Sequence, residues 1–150
     1  MSDLSELYRD IVMEHNRRPR NFRKMEHPTC SLEGYNPLCG DRVTLFLQLE
    51  DDRIADIAFQ GSGCAISRAS ASMMTESVKG KSKAEADELF NAVRGMLTRA
   101  PGSDFDGEKL GDLAILAGVA EFPTRIKCAT LSWHALHTAL QGQAASVSTE

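Results

Sequence analysis

The sequence predicts an α+β fold, a small antiparallel β-sheet with helices segregated around it. Three observations carry that expectation. Residues Val43 to Leu49 alternate, with Val43, Leu45, Leu47 and Leu49 on one side and Thr44, Phe46 and Gln48 on the other, the period of a strand. Asp51-Asp52 reads as a tight turn and Ile54 to Phe59 as the returning strand, which makes an antiparallel hairpin. Beyond Gly63 the apolar residues recur at helical spacing instead.

In chain order, Leu4, Leu7, Tyr8, Ile11 and Val12 place a first helix over Leu4 to His15, which Pro19 prevents from continuing. A basic, irregular stretch leads to Pro28, and a further strand near Leu32 to Tyr35 is expected to pair with the hairpin. Gly61-Ser62-Gly63 breaks the returning strand. A helix follows from Cys64 to about Val78, with Ser62 as its expected cap. Lys79 to Lys83 is a solvated linker, and Ala84 to Leu97 a second amphipathic helix using Leu89, Phe90, Val93 and Leu97. Thr98 to Glu108 is a loop, Leu113 to Val119 a short apolar helix, and Phe122 to Leu140 a long one. The small polar residues from about 142 to 150 read as a flexible tail on a single domain spanning 1–150.

Composition narrows the function. A net charge of −4 speaks against nucleic-acid binding, which calls for a basic patch. No run approaches the roughly 18 apolar residues of a membrane helix. The opening MSDLSELYRD lacks the apolar stretch of a signal peptide, so the expected compartment is the cytoplasm. In that reducing setting Cys30, Cys39, Cys64 and Cys128 are expected to be buried, catalytic or metal-bound rather than disulfide-linked. No Cys-x-x-Cys pair is present, so any site must be gathered by the fold.

Counting back from a two-residue Asp51-Asp52 turn pairs Asp41 with Ser62 and Cys39 with Cys64; a bulge would shift that register by one and still leave the two ends close. Gly40 lets the chain turn sharply, so that Cys39 and Asp41 can face one point. Cys64 sits at an expected helix N-terminus, where the dipole favours a thiolate. Arg125 precedes Cys128 by three residues, on the same helical side. Three thiolates and a carboxylate suit four-coordinate zinc, and a cation such as Arg125 offsets their negative charge. Any one of these cysteines alone reads equally well as a small buried hydrophobe, and it is their convergence that singles them out. Cys30 is left over as an ordinary free thiol. His134 and His137 share a helical side with no third ligand in view, so they read as packing or surface residues.

At these residues the chain resembles a known family. The segments NPLCGD (Asn36 to Asp41), GSGCAISRASASMM (Gly61 to Met74) and RIKCATLSWHAL (Arg125 to Leu136) are similar to the SufU branch of the IscU-like proteins. HNRRPRNF (His15 to Phe22) matches as well, and the resemblance runs from about Leu4 to Leu140. It implies an IscU-like fold with one zinc ion held by Cys39, Asp41, Cys64 and Cys128. It implies Cys39 as persulfide acceptor, Arg125 as a residue important beside it, and a SufS-type cysteine desulfurase as partner. In the mechanism it implies, a desulfurase histidine takes the place of Cys39 on zinc, and sulfur then passes to downstream SUF assembly proteins. Tyr8, His15 and Arg20 are weaker candidates for contacts with the desulfurase. Lys127 stands where IscU scaffolds carry a histidine, and the Lys81 to Gly111 segment has room for the SufU insertion. Two other functions stay open: a scaffold that builds a transient [2Fe–2S] cluster on the same side chains, and a binding module whose zinc is purely structural.

Overall fold

The computed structural model describes residues 2–100, 103–142 and 147–148. Helix α1 (Ser2–Arg17) is followed by strands β1 (Cys30–Asn36), β2 (Asp41–Glu50) and β3 (Arg53–Ser62). Helices α2 (Ala65–Val78) and α3 (Lys83–Thr98) come next, then a one-turn helix α4 (Gly107–Leu110), a 3₁₀ segment (Gly111–Glu121) and helix α5 (Pro123–Leu140). The sheet is the expected antiparallel one, ordered β3-β2-β1. A two-residue strand β4 (Val147–Ser148) lies parallel to β1 at Gly34 and Tyr35. The rest of the expected tail beyond Gly142 lies outside the described residues.

The Asp51-Asp52 turn is as read from the sequence, with Glu50 opposite Arg53 and Asp51 at φ 56°, a conformation aspartate tolerates better than most residues. A bulge between Gln48 and Leu49 then shifts the register by one, so Ser62 faces Arg42 rather than Asp41. The bulge has a packing reason. Strict alternation would send Ile54 and Ile57 to opposite faces, yet both are fully buried in one core with Phe59.

That core lies between the Val43, Leu45 and Leu47 face of the sheet and helices α2 and α5. Leu131 of α5 packs directly over Gly34, where even a methyl group would come within 3.1 Å of it. The buried residues of helix α2 from Ser67 to Ser72 are small, and Ser70 among them joins it to α5. The Ser70 hydroxyl donates to Ala129 O at 2.5 Å and accepts from the Trp133 indole at 3.2 Å. Met73 and Met74 belong to this core.

Three local details depart from the sequence reading. Cys64, not Ser62, caps α2: its sulfur accepts from Ser67 N–H at 3.4 Å. The Leu113 to Val119 run is 3₁₀ rather than α-helical. Its buried Leu113, Leu116 and Val119 recur every third residue, the 3₁₀ period, which puts them on one side. His15 is turned inward against α2, with Nδ1 2.7 Å from Ser72 Oγ, so it is not free to meet a partner. Among the described residues no helix is long and apolar enough to cross a membrane.

Candidate metal centre

The open end of the sheet gathers the expected side chains. Asn36 ends β1 and pairs with Asp41, the first residue of β2, across the loop Pro37 to Gly40. Gly40 takes φ 71°, the left-handed turn that only glycine adopts without cost. This loop lifts Cys39 into solvent, while Asp41 is fully buried beneath it. Cys128 enters from the N-terminal part of α5 and is also buried.

One ligand atom from each of Cys39, Asp41 and Cys128 lies within 4.8 Å of the other two. The Cys39 and Cys128 sulfurs are 3.2 Å apart. Cys64 stands at the edge of this group, its sulfur 3.9 Å from Asp41 Oδ2, while the same sulfur caps α2. Two nitrogen donors hold the Asp41 carboxylate: Cys64 N–H to Oδ1 at 2.8 Å and Asn36 Nδ2 to Oδ2 at 3.1 Å. Gly63 makes that closeness feasible, since a Cβ there would overlap Asp41 Oδ1.

The electrostatics are unbalanced. Among the described residues no Lys or Arg pairs with Asp41, although it is fully buried. A buried carboxylate without a counter-cation is costly. Burial, with hydrogen bonds to Cys39, Asp41 and Cys64, pushes the Cys128 thiol well above its ordinary pKa. A thiolate is disfavoured there without added positive charge. Arg125 is exposed, and the Cys128, Cys64 and Cys39 sulfurs beside it favour its cationic form. Tyr8 of α1 borders the same region: burial raises its hydroxyl pKa, Arg125 opposes that rise and Cys64 adds to it.

These residues fit zinc. Thiolates and a carboxylate are its usual soft and hard donors, and a dication supplies the positive charge that the buried Asp41 and Cys128 lack. Iron in a cluster accepts the same thiolates.

Asn36 did not emerge as a site residue from the sequence, although it opens the Asn36 to Asp41 segment. Counting the β1–β2 hairpin back from Asp41 across the Gly40 turn would have found it, as that register places it directly opposite Asp41. Cys30 lies apart, half-buried at the start of β1, with its thiol pushed up by burial. His137 stacks on Phe90 at 4.5 Å and meets Asp87 at 3.0 Å, and His134 packs edge-on against the same ring.

An α+β chain that converges two thiols and a carboxylate at the rim of its sheet has, by fold and site, a candidate thiol-based metal centre. The chain belongs to the NifU-like N terminal domain family, which matches residues 7–129. It is 43% identical over 136 residues to the zinc-dependent sulfurtransferase SufU of Bacillus subtilis, covering 90% of each chain. It is also 43% identical over 145 residues to the iron–sulfur cluster assembly scaffold protein IscU of Streptococcus pyogenes, covering 96% of this chain and 89% of that one. Its fold matches a crystal structure assigned to a SUF-system iron–sulfur cluster assembly scaffold from Fervidobacterium islandicum. That match has a TM-score of 0.80 at 37% identity, over 87% of this chain and 93% of the other.

Proposed function

We propose that this chain is a cytoplasmic sulfur acceptor that holds one zinc ion and takes persulfide sulfur from a SufS-type cysteine desulfurase for iron–sulfur cluster assembly. The observation that carries this reading is the exposure of Cys39 beside the buried Asp41 and Cys128. A metal site that only stabilised the fold would gain nothing from holding one sulfur in solvent. The similarity to a relative named a zinc-dependent sulfurtransferase supports the same reading.

In this reading Cys39, Asp41, Cys64 and Cys128 are the zinc ligands. Bound zinc would keep the ligand thiols deprotonated at neutral pH. Cys39 is the nucleophile. Its thiolate attacks the terminal sulfur of the desulfurase persulfide, the persulfide S–S bond breaks, and a new S–S bond forms on Cys39. The desulfurase cysteine leaves as a thiolate, so one persulfide replaces another and no external oxidant or reductant is needed. Arg125 faces the anionic sulfurs and offsets their charge. Leu38, 61% exposed beside Cys39, and Phe122, 58% exposed at the start of α5, give the partner apolar surface to cover. Sulfur then passes to downstream SUF assembly proteins.

The test is cysteine turnover by the desulfurase with and without the zinc-loaded, iron-free protein, with Cys39→Ala as control. A large increase that disappears in Cys39→Ala is the expected result. No increase, with the desulfurase binding normally, overturns the reading. That outcome favours a [2Fe–2S] scaffold, the second reading, to which the similarity with a relative named a scaffold lends support.

A further inference from the structure

Asn36 is fully buried at the end of β1, and its side-chain amide divides sharply into a used half and an unused half. Nδ2 donates to Asp41 Oδ2 at 3.1 Å and to Cys128 Sγ at 3.5 Å. Its two hydrogens are thereby spent on two members of the metal cluster. Oδ1 is buried with no hydrogen-bond partner among the described residues. Buried amide oxygens are normally satisfied, so an orphaned one marks an orientation imposed from elsewhere. The cause is on the other side of the amide. Turning it over would press Oδ1 against the Asp41 carboxylate and the Cys128 sulfur, acceptor against acceptor. Asn36 gives up one hydrogen bond in order to donate twice toward the cluster.

The donation is selective. Asn36 touches Asp41 and Cys128, the two buried members of the cluster, while its contacts leave out Cys39, the exposed one. Asp41 is thus held through both oxygens, by Asn36 on Oδ2 and by the Cys64 backbone on Oδ1. Donors of this kind fix the direction of a ligand's free lone pair and withdraw charge from a thiolate.

We propose that Asn36 is a positioning residue of the metal centre, a clamp that orients Asp41 and Cys128 toward the ion and leaves Cys39 outside its hold. The division it creates is between Asp41 and Cys128, which it holds, and Cys39, which can leave without loosening them; Cys64, already tied to the α2 cap, lies outside its contacts as well. An aspartate in this place would have no amide hydrogens to give and would add a further negative charge to an already anionic set. The inference rests on the reading of Cys39, Asp41 and Cys128 as metal ligands.

The experiment uses Zn2+ and Co2+ alone as probes, on the full chain, with no desulfurase present. Asn36→Ser is expected to weaken Zn2+ binding by about 10–100-fold, the usual cost of losing such a support. The sulfur-to-cobalt charge-transfer bands of the Co2+ form should shift, because the Cys128 sulfur loses its donor; a residue acting only in folding would not move them. Equal Zn2+ affinity and unshifted bands in Asn36→Ser overturn the clamp. A wild-type chain that binds neither ion overturns the ligand reading itself, which separates the two failures. Should Asn36→Ser not fold, the wild-type protein loaded with NMR-active cadmium decides. One Asn36 side-chain amide proton should show coupling to the metal through the Cys128 sulfur, and both should exchange slowly with water. Fast exchange of both protons overturns the proposal.

Discussion

The two ends of the β2–β3 hairpin share one ladder and finish in opposite conditions. At the closed end the strand termini are tied to the segment that follows. Ile54 N–H donates to Lys81 O, Gly80 N–H to Ile54 O, and Lys83 N–H to Asp52 O. Ser82 and Glu85 form a reciprocal capping box at the start of α3. At the open end, among the described residues, a buried carboxylate has no counter-cation, a buried amide oxygen has no partner, and a thiol stands in solvent. Polar groups at the closed end are spent on joining elements. At the open end they converge on a point where a dication would restore the balance. The difference separates a structural terminus from a candidate functional one without reference to any relative.

The sharpest way to break that comparison is within the open end itself, between its exposed and buried thiols. Cys39→Ala should abolish the stimulation of desulfurase turnover yet leave metal-free stability within about 0.5 kcal/mol, as for other exposed sites. Cys128→Ala should also lose zinc, and it should cost roughly 1–2 kcal/mol of metal-free stability, because it hollows a buried position between α5 and the sheet. Thermal melts of the two metal-free variants check this, and identical melting temperatures would contradict the division of roles.

A smaller effect on zinc binding is expected at Gly63. Gly63→Ala forces a Cβ into Asp41 Oδ1, so the carboxylate must move. Zinc affinity should fall about 10–100-fold, with roughly 1–3 kcal/mol of overpacking strain. Competition against a zinc-binding dye measures the first; unchanged affinity would remove Asp41 from the ligand set.

The smallest effect belongs to the closed end. Ser82→Ala breaks the capping box and should cost about 1 kcal/mol, or about 2–4 °C in melting temperature for a chain of this size. Zinc affinity should not change. A tenfold loss of affinity would show that the two ends are coupled through the ladder.

Much of this was legible in the chain because it depends on neighbours in sequence. Alternation at Val43 to Leu49 needs only the pleat, and the Asp51-Asp52 turn only local backbone preference. Pro19 stops α1 and Gly40 permits the turn beside Cys39 for equally local reasons. The 3₁₀ spacing of Leu113, Leu116 and Val119 was present in the sequence as well, but an apolar run that short fits more than one helical period. Cys64 was recognised as chemically significant, and its use as the cap of α2 was not, since cysteine is a rare cap.

By itself, then, the sequence determined the three antiparallel strands and the long helices, the hairpin's turn and which side chains have the chemistry to bind a soft metal. The tertiary structure decided which of them meet. It placed the bulge after Gln48, because the core admits Ile54 and Ile57 only if one residue is left over between them. It turned the Asn36 amide toward Asp41 and Cys128, because two acceptors brought together from residues far apart in the chain leave a buried amide one favourable orientation. Periodicity and turn preference act over a few residues. Register shifts and amide orientation are set by atoms that only folding brings within reach.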